Sequence, residues 1–283
     1  MPFHLELFSS SIASGANTFA QVTYVTADAI LQKLVNGMQV SPMLPKLVWV
    51  AHVGANAVHC RAQAPSMLPT PYISLSPNNR GSAFESPPRT WDFFRAPIPL
   101  RLTEEFDIFA TQNAGAGQTQ YIGCQFGDGT IVMPPPLRTG PAVNGNGSFF
   151  SVHGTAATTL AAGAWTNIAA SAITWDQGFP SGSYALVGVR AFSATGLFFR
   201  LFPQTEPLWR PGGIAVQAYD SLDPPNQRYL PEFTNASTGW GVWLSFFSNT
   251  PPGIEMFATA ADTAEEIWYD CIKISDITVQ GSM

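Results

Sequence analysis

Apolar and polar positions alternate along this chain in short runs, and the 3.6-residue spacing of amphipathic helices is rare. The segments Val22-Thr23-Tyr24-Val25, Leu47 to Val53, Phe106 to Thr111, Tyr184 to Ala191, Trp240 to Ser248, Ile254 to Thr259 and Asp270 to Val279 are rich in β-branched and aromatic residues. Gly, Pro, Asn and Ser bound them, so each is predicted as a strand. Twenty-four glycines and 24 prolines favour many turns over long helices. One or two short helices are expected. The first runs from about Ala27 to Asn36, with Thr26 as N-cap, Ile30, Leu31, Leu34 and Val35 on one face, and Gly37 as its stop. The second starts near Asp262, where Glu265 completes a capping-box-like pattern.

The strand pattern is written twice. Phe109-Ala110-Thr111, Tyr121 and Cys124 recur as Phe257-Ala258-Thr259, Tyr269 and Cys271, at an offset of 148 that slips by one at the cysteine. Leu47-Val48-Trp49-Val50 and Arg61 answer Leu186-Val187-Gly188-Val189 and Arg200 at an offset of 139. Trp91 and Phe94 answer Trp240 and Trp243, while Phe3, Phe19 and Val22 answer Phe149, Trp165 and Ile168. This predicts an all-β chain of two tandem sandwiches, 1–130 and 148–283, joined by a Pro/Gly-rich linker at 131–147 that carries Pro134-Pro135-Pro136. Both halves place a long Pro-rich excursion after their matched arginine, at 64–90 and 203–231. Loops of that length are usually functional or make contacts. Seven or eight short strands per half suit a jelly roll or another Greek-key sandwich.

Composition narrows the function. Charged residues are 11% of the chain and hydrophobic residues 46%, so much surface is expected to be buried against a partner. The net charge is −6, with 13 lysines and arginines, so direct sequence-specific nucleic-acid binding is not expected. No apolar run reaches the roughly 20 residues of a spanning helix, and the N-terminus lacks a signal-peptide pattern, so a soluble chain kept without export is expected. Cys60, Cys124 and Cys271 sit in apolar strand-like stretches and are expected to be buried thiols.

Common catalytic motifs are missing: there is no Gly-x-Ser-x-Gly elbow, phosphate-cradling loop, Cys-x-x-Cys or His-Glu-x-x-His. No cofactor, metal site or enzymatic activity is expected. His52 and His59 flank one predicted turn, but two imidazoles make a poor zinc site. Two acidic clusters, Glu104/Glu105/Asp107 and Asp262/Glu265/Glu266/Asp270, would serve glycoside hydrolysis only if held together in a cleft. The candidates for contact with another subunit are Arg61, Arg200, Trp209 and Arg210. The arginines suit carboxylates within a sandwich or across an interface, and Trp209 suits a protein or glycan.

The duplicated anchors Phe109-Ala110-Thr111/Phe257-Ala258-Thr259, Trp91/Trp240 and Arg61/Arg200, with the Pro-rich linker, resemble the double jelly-roll major capsid proteins of icosahedral viruses. In length the chain looks most like the small bacteriophage members. The resemblance covers the whole chain and is architectural. It implies two tandem jelly-roll sandwiches, a homotrimer forming a pseudo-hexagonal capsomer, and a place in the virion shell after synthesis in the host cytoplasm. It also implies neighbouring capsomers and vertex proteins as partners, with an internal viral membrane or minor capsid protein beneath. The alternative is a tandem β-sandwich module that binds a glycan or receptor, such as a virion spike or lectin.

Overall fold

The computed structural model describes residues 3–13, 15, 18–25, 34–54, 56–67, 72–75, 89–93, 96–113, 116–128, 149–203, 210, 212–214, 216–217, 234–235, 239–240 and 244–274. The expected linker, Trp209 and most of the expected helix at Ala27 to Asn36 lie outside the described residues. Among them the structure is mostly β-sheet, with one 3-10 turn at Ala170–Ala172 and no α-helix. The chain divides into two units. One comprises Pro2–Thr130 with Arg210–Gly212, and the other holds Ile131–Trp209 and Gly213–Met283.

Among the described residues the N-terminal unit has ten strands: β1 (Phe3–Ile12), β2 (Ala20–Val22), β3 (Met38–Gln39), β4 (Lys46–Gly54), β5 (Ala57–Gln63), β6 (Tyr72–Leu75), β7 (Arg89–Asp92), β8 (Ile98–Pro99), β9 (Glu105–Gln112) and β10 (Gln118–Gly127). They form two antiparallel sheets of order β1-β10-β4-β7 and β2-β9-β5-β6, with β8 added on β4 and β3 on β9. The chain crosses between the sheets repeatedly, which is the broadly jelly-roll-like arrangement. Phe106 of β9 meets Phe8 of β1 and Phe126 of β10 at ring-centroid distances of 6.0 and 5.1 Å, closing the sheets over one core. Each such ring contributes roughly 1.5–3 kcal/mol by burial. The pattern of β4 explains its place: Leu47 through Gly54 are buried on both faces, so its sequence reads as a continuous apolar run. Strand β5 alternates and lies beside it in sequence but in the other sheet.

The remaining strands among the described residues, all but Gly212 in the C-terminal unit, are β11 (Phe149–Ala156), β12 (Trp165–Ile168), β13 (Thr174–Trp175), β14 (Ser183–Ser193), β15 (Gly196–Phe202), β16 (Gly212–Ile214), β17 (Val216–Gln217), β18 (Thr234–Asn235), β19 (Gly239–Trp240), β20 (Leu244–Phe247), β21 (Gly253–Ala258) and β22 (Glu265–Ile274). One sheet has the order β13-β11-β22-β14-β17 with β20 on β14; another is β12-β21-β15-β16; β18 and β19 form a ribbon. The expected second helix is not there. Ala261 to Ala264 have no regular structure, and Glu265 opens β22 by pairing with Ala156. Asp262 is engaged elsewhere, accepting from Ser193 Oγ at 3.0 Å and Ala194 N at 2.9 Å in the β14–β15 turn. A turn cap has displaced the helix cap.

Register shows how the halves correspond. Strand β4 carries one extra residue, Val48, between the partners of Gln125 and Phe126, and β14 carries Val187 between the partners of Asp270 and Cys271. Strand β5 carries an extra Val58 and β15 an extra Leu197. Val48 to Val187 and Val58 to Leu197 are both 139 positions apart. Bulges are position-specific features, so two at one spacing tie the halves together independently of side-chain identity. The 139 offset read from Leu47 to Val50 and from Arg61 is therefore the true one for these strands. The Phe-Ala-Thr match is corrected: through Arg61 opposite Phe109 and Arg200 opposite Glu255, Phe109 corresponds to Glu255, and Thr111 to Phe257. Likewise Gln125 corresponds to Asp270, so Cys271 answers Phe126 rather than Cys124.

Candidate interaction surface

Arg61 and Arg200 prove to be parts of one repeated contact. The Arg61 guanidinium lies 3.9 Å from the centroid of the Phe19 ring, and that of Arg200 lies 4.3 Å from Trp165. Phe19/Trp165 and Arg61/Arg200, matched separately in sequence, thus meet in space in each unit, and cation–π attraction accounts for their shared spacing. Arg200 also donates from Nε to Glu255 Oε2 at 2.6 Å and is 2% exposed. Its geometry serves its own unit. Trp209 lies outside the described residues.

Arg210 belongs to a network that the sequence did not reveal. Its backbone N–H reaches His4 Nδ1 at 3.3 Å, and its carbonyl accepts from Leu5 N at 2.9 Å. His4 Nε2 stands 2.5 Å from Glu6 Oε1, and Tyr24 donates its hydroxyl to Glu6 Oε2 at 2.6 Å. With Nδ1 accepting, the proton of a neutral His4 sits on Nε2, the nitrogen that faces Glu6. All three side chains are fully buried. His4 and Glu6 are two apart on one strand and share a face, while Tyr24 joins them only through the β1 to Tyr24 bridge at Phe8.

The most distinctive surface is the outer face of the β11-β22-β14 sheet. Three cross-strand rows build it: Ser151, Asp270 and Gly188; His153, Trp268 and Arg190; Thr155, Glu266 and Phe192. Directly paired residues share a face, so these nine positions form one patch. Trp268 is braced by the His153 ring at 4.3 Å and, edge-on, by Phe192 at 4.8 Å. The Arg190 guanidinium stands 5.5 Å from the Trp268 centroid. Its Nη2 also lies 3.1 Å from Asp270 Oδ1, which accepts from Ser151 Oγ at 2.6 Å. Gly188 gives that carboxylate room, since a Cβ there would stand 3.1 Å from Asp270 Oδ2. His153 sits between Asp176, 4.0 Å from Nδ1, and Glu266, 3.5 Å from Nε2. The result is a tryptophan and an arginine fixed in place, rimmed by exposed carboxylates.

The acidic clusters are dispersed rather than gathered. Glu104 accepts from Ser66 and from Arg101 N, and Asp107 accepts from Gln21 Nε2 at 2.9 Å. Burial, with Glu105 adding, pushes the Asp107 carboxyl up. Burial opposes the charge on Asp262, but donors from Thr263, Ser193, Ala194 and Ala264 outweigh it and hold the carboxyl low. Glu265 and Glu266, adjacent in sequence, point to opposite faces of β22: the first is 1% exposed and the second lies on the outer face. The described residues hold no group of three metal-ligating side chains.

Strand order and register therefore define the class, a mostly β and broadly jelly-roll-like protein. No known protein family and no curated protein matches the sequence. Among solved structures, the PBSX exported protein XepA is 10% identical with a TM-score of 0.25, over 94% of this chain and 86% of that one. The major capsid protein P2 from bacteriophage PM2 is 12% identical with a TM-score of 0.23, over 95% and 99%. A chain from an archaeal virus with a triple jelly-roll fold and turret assembly is 9% identical with a TM-score of 0.20, over 96% and 79%. Scores this low carry no weight for function.

Proposed function

We propose that this chain is a structural subunit of an icosahedral virus shell, a double jelly-roll major capsid protein. The observation that supports the reading best is the pair of bulges repeated at one spacing of 139 residues, in strands that hold equivalent places in the two units. The second unit is read as a second jelly roll on that ground. Two similar units per chain let three chains offer six similar faces, so a homotrimer makes a pseudo-hexagonal capsomer from threefold symmetry. The low charged fraction, 11%, suits a chain that buries much of its surface between copies. Its other partners are neighbouring capsomers, vertex proteins, and an internal membrane or minor capsid protein. Its place is the virion shell, and it needs neither cofactor nor catalytic site.

Light scattering on a sizing column, at low and high salt, tests the reading. A salt-resistant species of three chain masses, or larger shells by electron microscopy, is the expected result. A single-chain mass at every concentration removes it and favours the glycan- or receptor-binding module.

A further inference from the structure

The segment Arg210–Gly212 counts with Pro2–Thr130, although the chain up to Trp209 and from Gly213 onward counts with the second unit. Three hydrogen bonds hold it there. Leu5 N donates to the Arg210 carbonyl at 2.9 Å, Gly212 N donates to Gln125 Oε1 at 2.8 Å, and Arg210 N donates to His4 Nδ1 at 3.3 Å. Strand β1 lies at the end of its sheet, and the segment continues the cover that Thr23 and Val25 give it at Ser9 and Leu7. Two of the three acceptors, a backbone carbonyl and a side-chain amide, accept at any pH. The third is a ring nitrogen that a proton can occupy.

We infer that His4 is a pH-sensitive latch for Arg210–Gly212: the segment docks on β1 while the imidazole is neutral and is released when the ring takes a second proton. An imidazolium carries N–H on both nitrogens. Its Nδ1–H would face the Arg210 N–H, so the bond is lost and two donors oppose each other in a buried site. Docking and protonation therefore exclude one another, and acid favours release. The neighbouring charges act in the same sense. Glu6 faces Nε2 from the same strand, accepts from the Tyr24 hydroxyl, and favours the imidazolium. It stays on β1 when the segment leaves, so the released state binds the proton more tightly than the docked one. The Arg210 guanidinium is the positive charge of the segment and leaves with it. Cys124, opposite Glu6 on β10, and Cys60 of β5 keep their protons because burial pushes both thiols up. The rest of the His4 row, Phe126, Leu47 and Ile98, is apolar.

Amide hydrogen exchange of the full chain from about pH 5 to about pH 8, read by mass spectrometry and corrected for the intrinsic rate, tests this. Protection of Leu5 and Arg210 should fall by up to about tenfold per pH unit on the acid side, while Cys124 and Val50, paired within the sheet, keep theirs. His4→Asn places an amide oxygen that does not titrate near the Nδ1 position, so protection should then be level with pH. Circular dichroism and the melting temperature report its folding. Deuteration at histidine C2 gives a second measurement that does not depend on that variant: Arg210→Pro removes the N–H and should raise the midpoint of His4. Level protection in the wild type overturns the latch, and so does an equal loss at Cys124 and Val50, which would be global unfolding. An unchanged acid loss in folded His4→Asn, or a His4 midpoint that Arg210→Pro leaves in place, overturns it as well.

Discussion

His52 lies inside the first sandwich with Nε2 2.9 Å from Gln120 Oε1. Burial pushes its imidazole down to about 4, against the Gln120 bond and with His59 adding to the shift. The unfolded chain binds this proton near 6.5 and the folded chain only near 4, so stability present above 6.5 is lost as pH falls through that window. Glu265 behaves in the opposite sense. Burial, with Asp262 adding, raises its carboxyl from 4.5 to about 7, so the unfolded chain gives up the proton first. Stability therefore declines as pH rises from 4.5 to 7 and is level above. Each shift corresponds to at most about 3 kcal/mol. Urea unfolding at several pH values checks both. Glu265→Gln should match wild type at pH about 4 and exceed it by up to about 3 kcal/mol at pH about 8; a constant difference would refute the assignment. His52→Gln should flatten the acid limb.

At the level of strands, the most consequential polar contact is Arg200 of β15 with Glu255 of β21, both buried. Arg200→Ala leaves a buried carboxylate and should cost about 3–5 kcal/mol, whereas Arg200→Met with Glu255→Leu should cost far less; equal losses in thermal melts would mean the pair matters only as packing. Gly154 of β11 is a second critical point. A Cβ there would come within 2.6 Å of Ile173 Cγ2, so Gly154→Ala should destabilise by roughly 1–3 kcal/mol. These strands show what could be read in advance. The apolar runs at Leu47 to Val53 and Tyr184 to Ala191 became β4 and β14 because burial on both faces leaves a continuous signature. Phe109-Ala110-Thr111 misled because a two-residue slip in a strand preserves the facing, so a wrong register looks as regular as the right one. Glu265 misled because a capping box is a local pattern, and a partner 69 residues away, Ser193, held Asp262. The outer-face patch was not legible at all: its rows draw on three strands far apart in sequence, and only register brings His153, Trp268 and Arg190 together.

Across the whole chain, the cysteines offer separate reporters for the two units. Cys60 and Cys124 are buried in the first and Cys271 in the second. Burial pushes the Cys60 thiol up to about 12 and the other two well above their usual range. Native thiols should react on the order of a thousandfold more slowly than unfolded ones. Labelling followed by mass spectrometry should show Cys60 and Cys124 modified together as denaturant rises; modification of either in native buffer would contradict their burial. The repeated bulges carry a consequence of another kind, a relative chronology. Val48 and Val187 interrupt equivalent strands at one spacing, as do Val58 and Leu197; on the double jelly-roll reading proposed above, these kinks are older than the doubling of the gene. The rows that became Leu7-Gly123-Ala51 in one half and His153-Trp268-Arg190 in the other diverged afterwards. On the same reading, an ancestor of half this length would have carried one kind of face, and only the doubled chain could hold two.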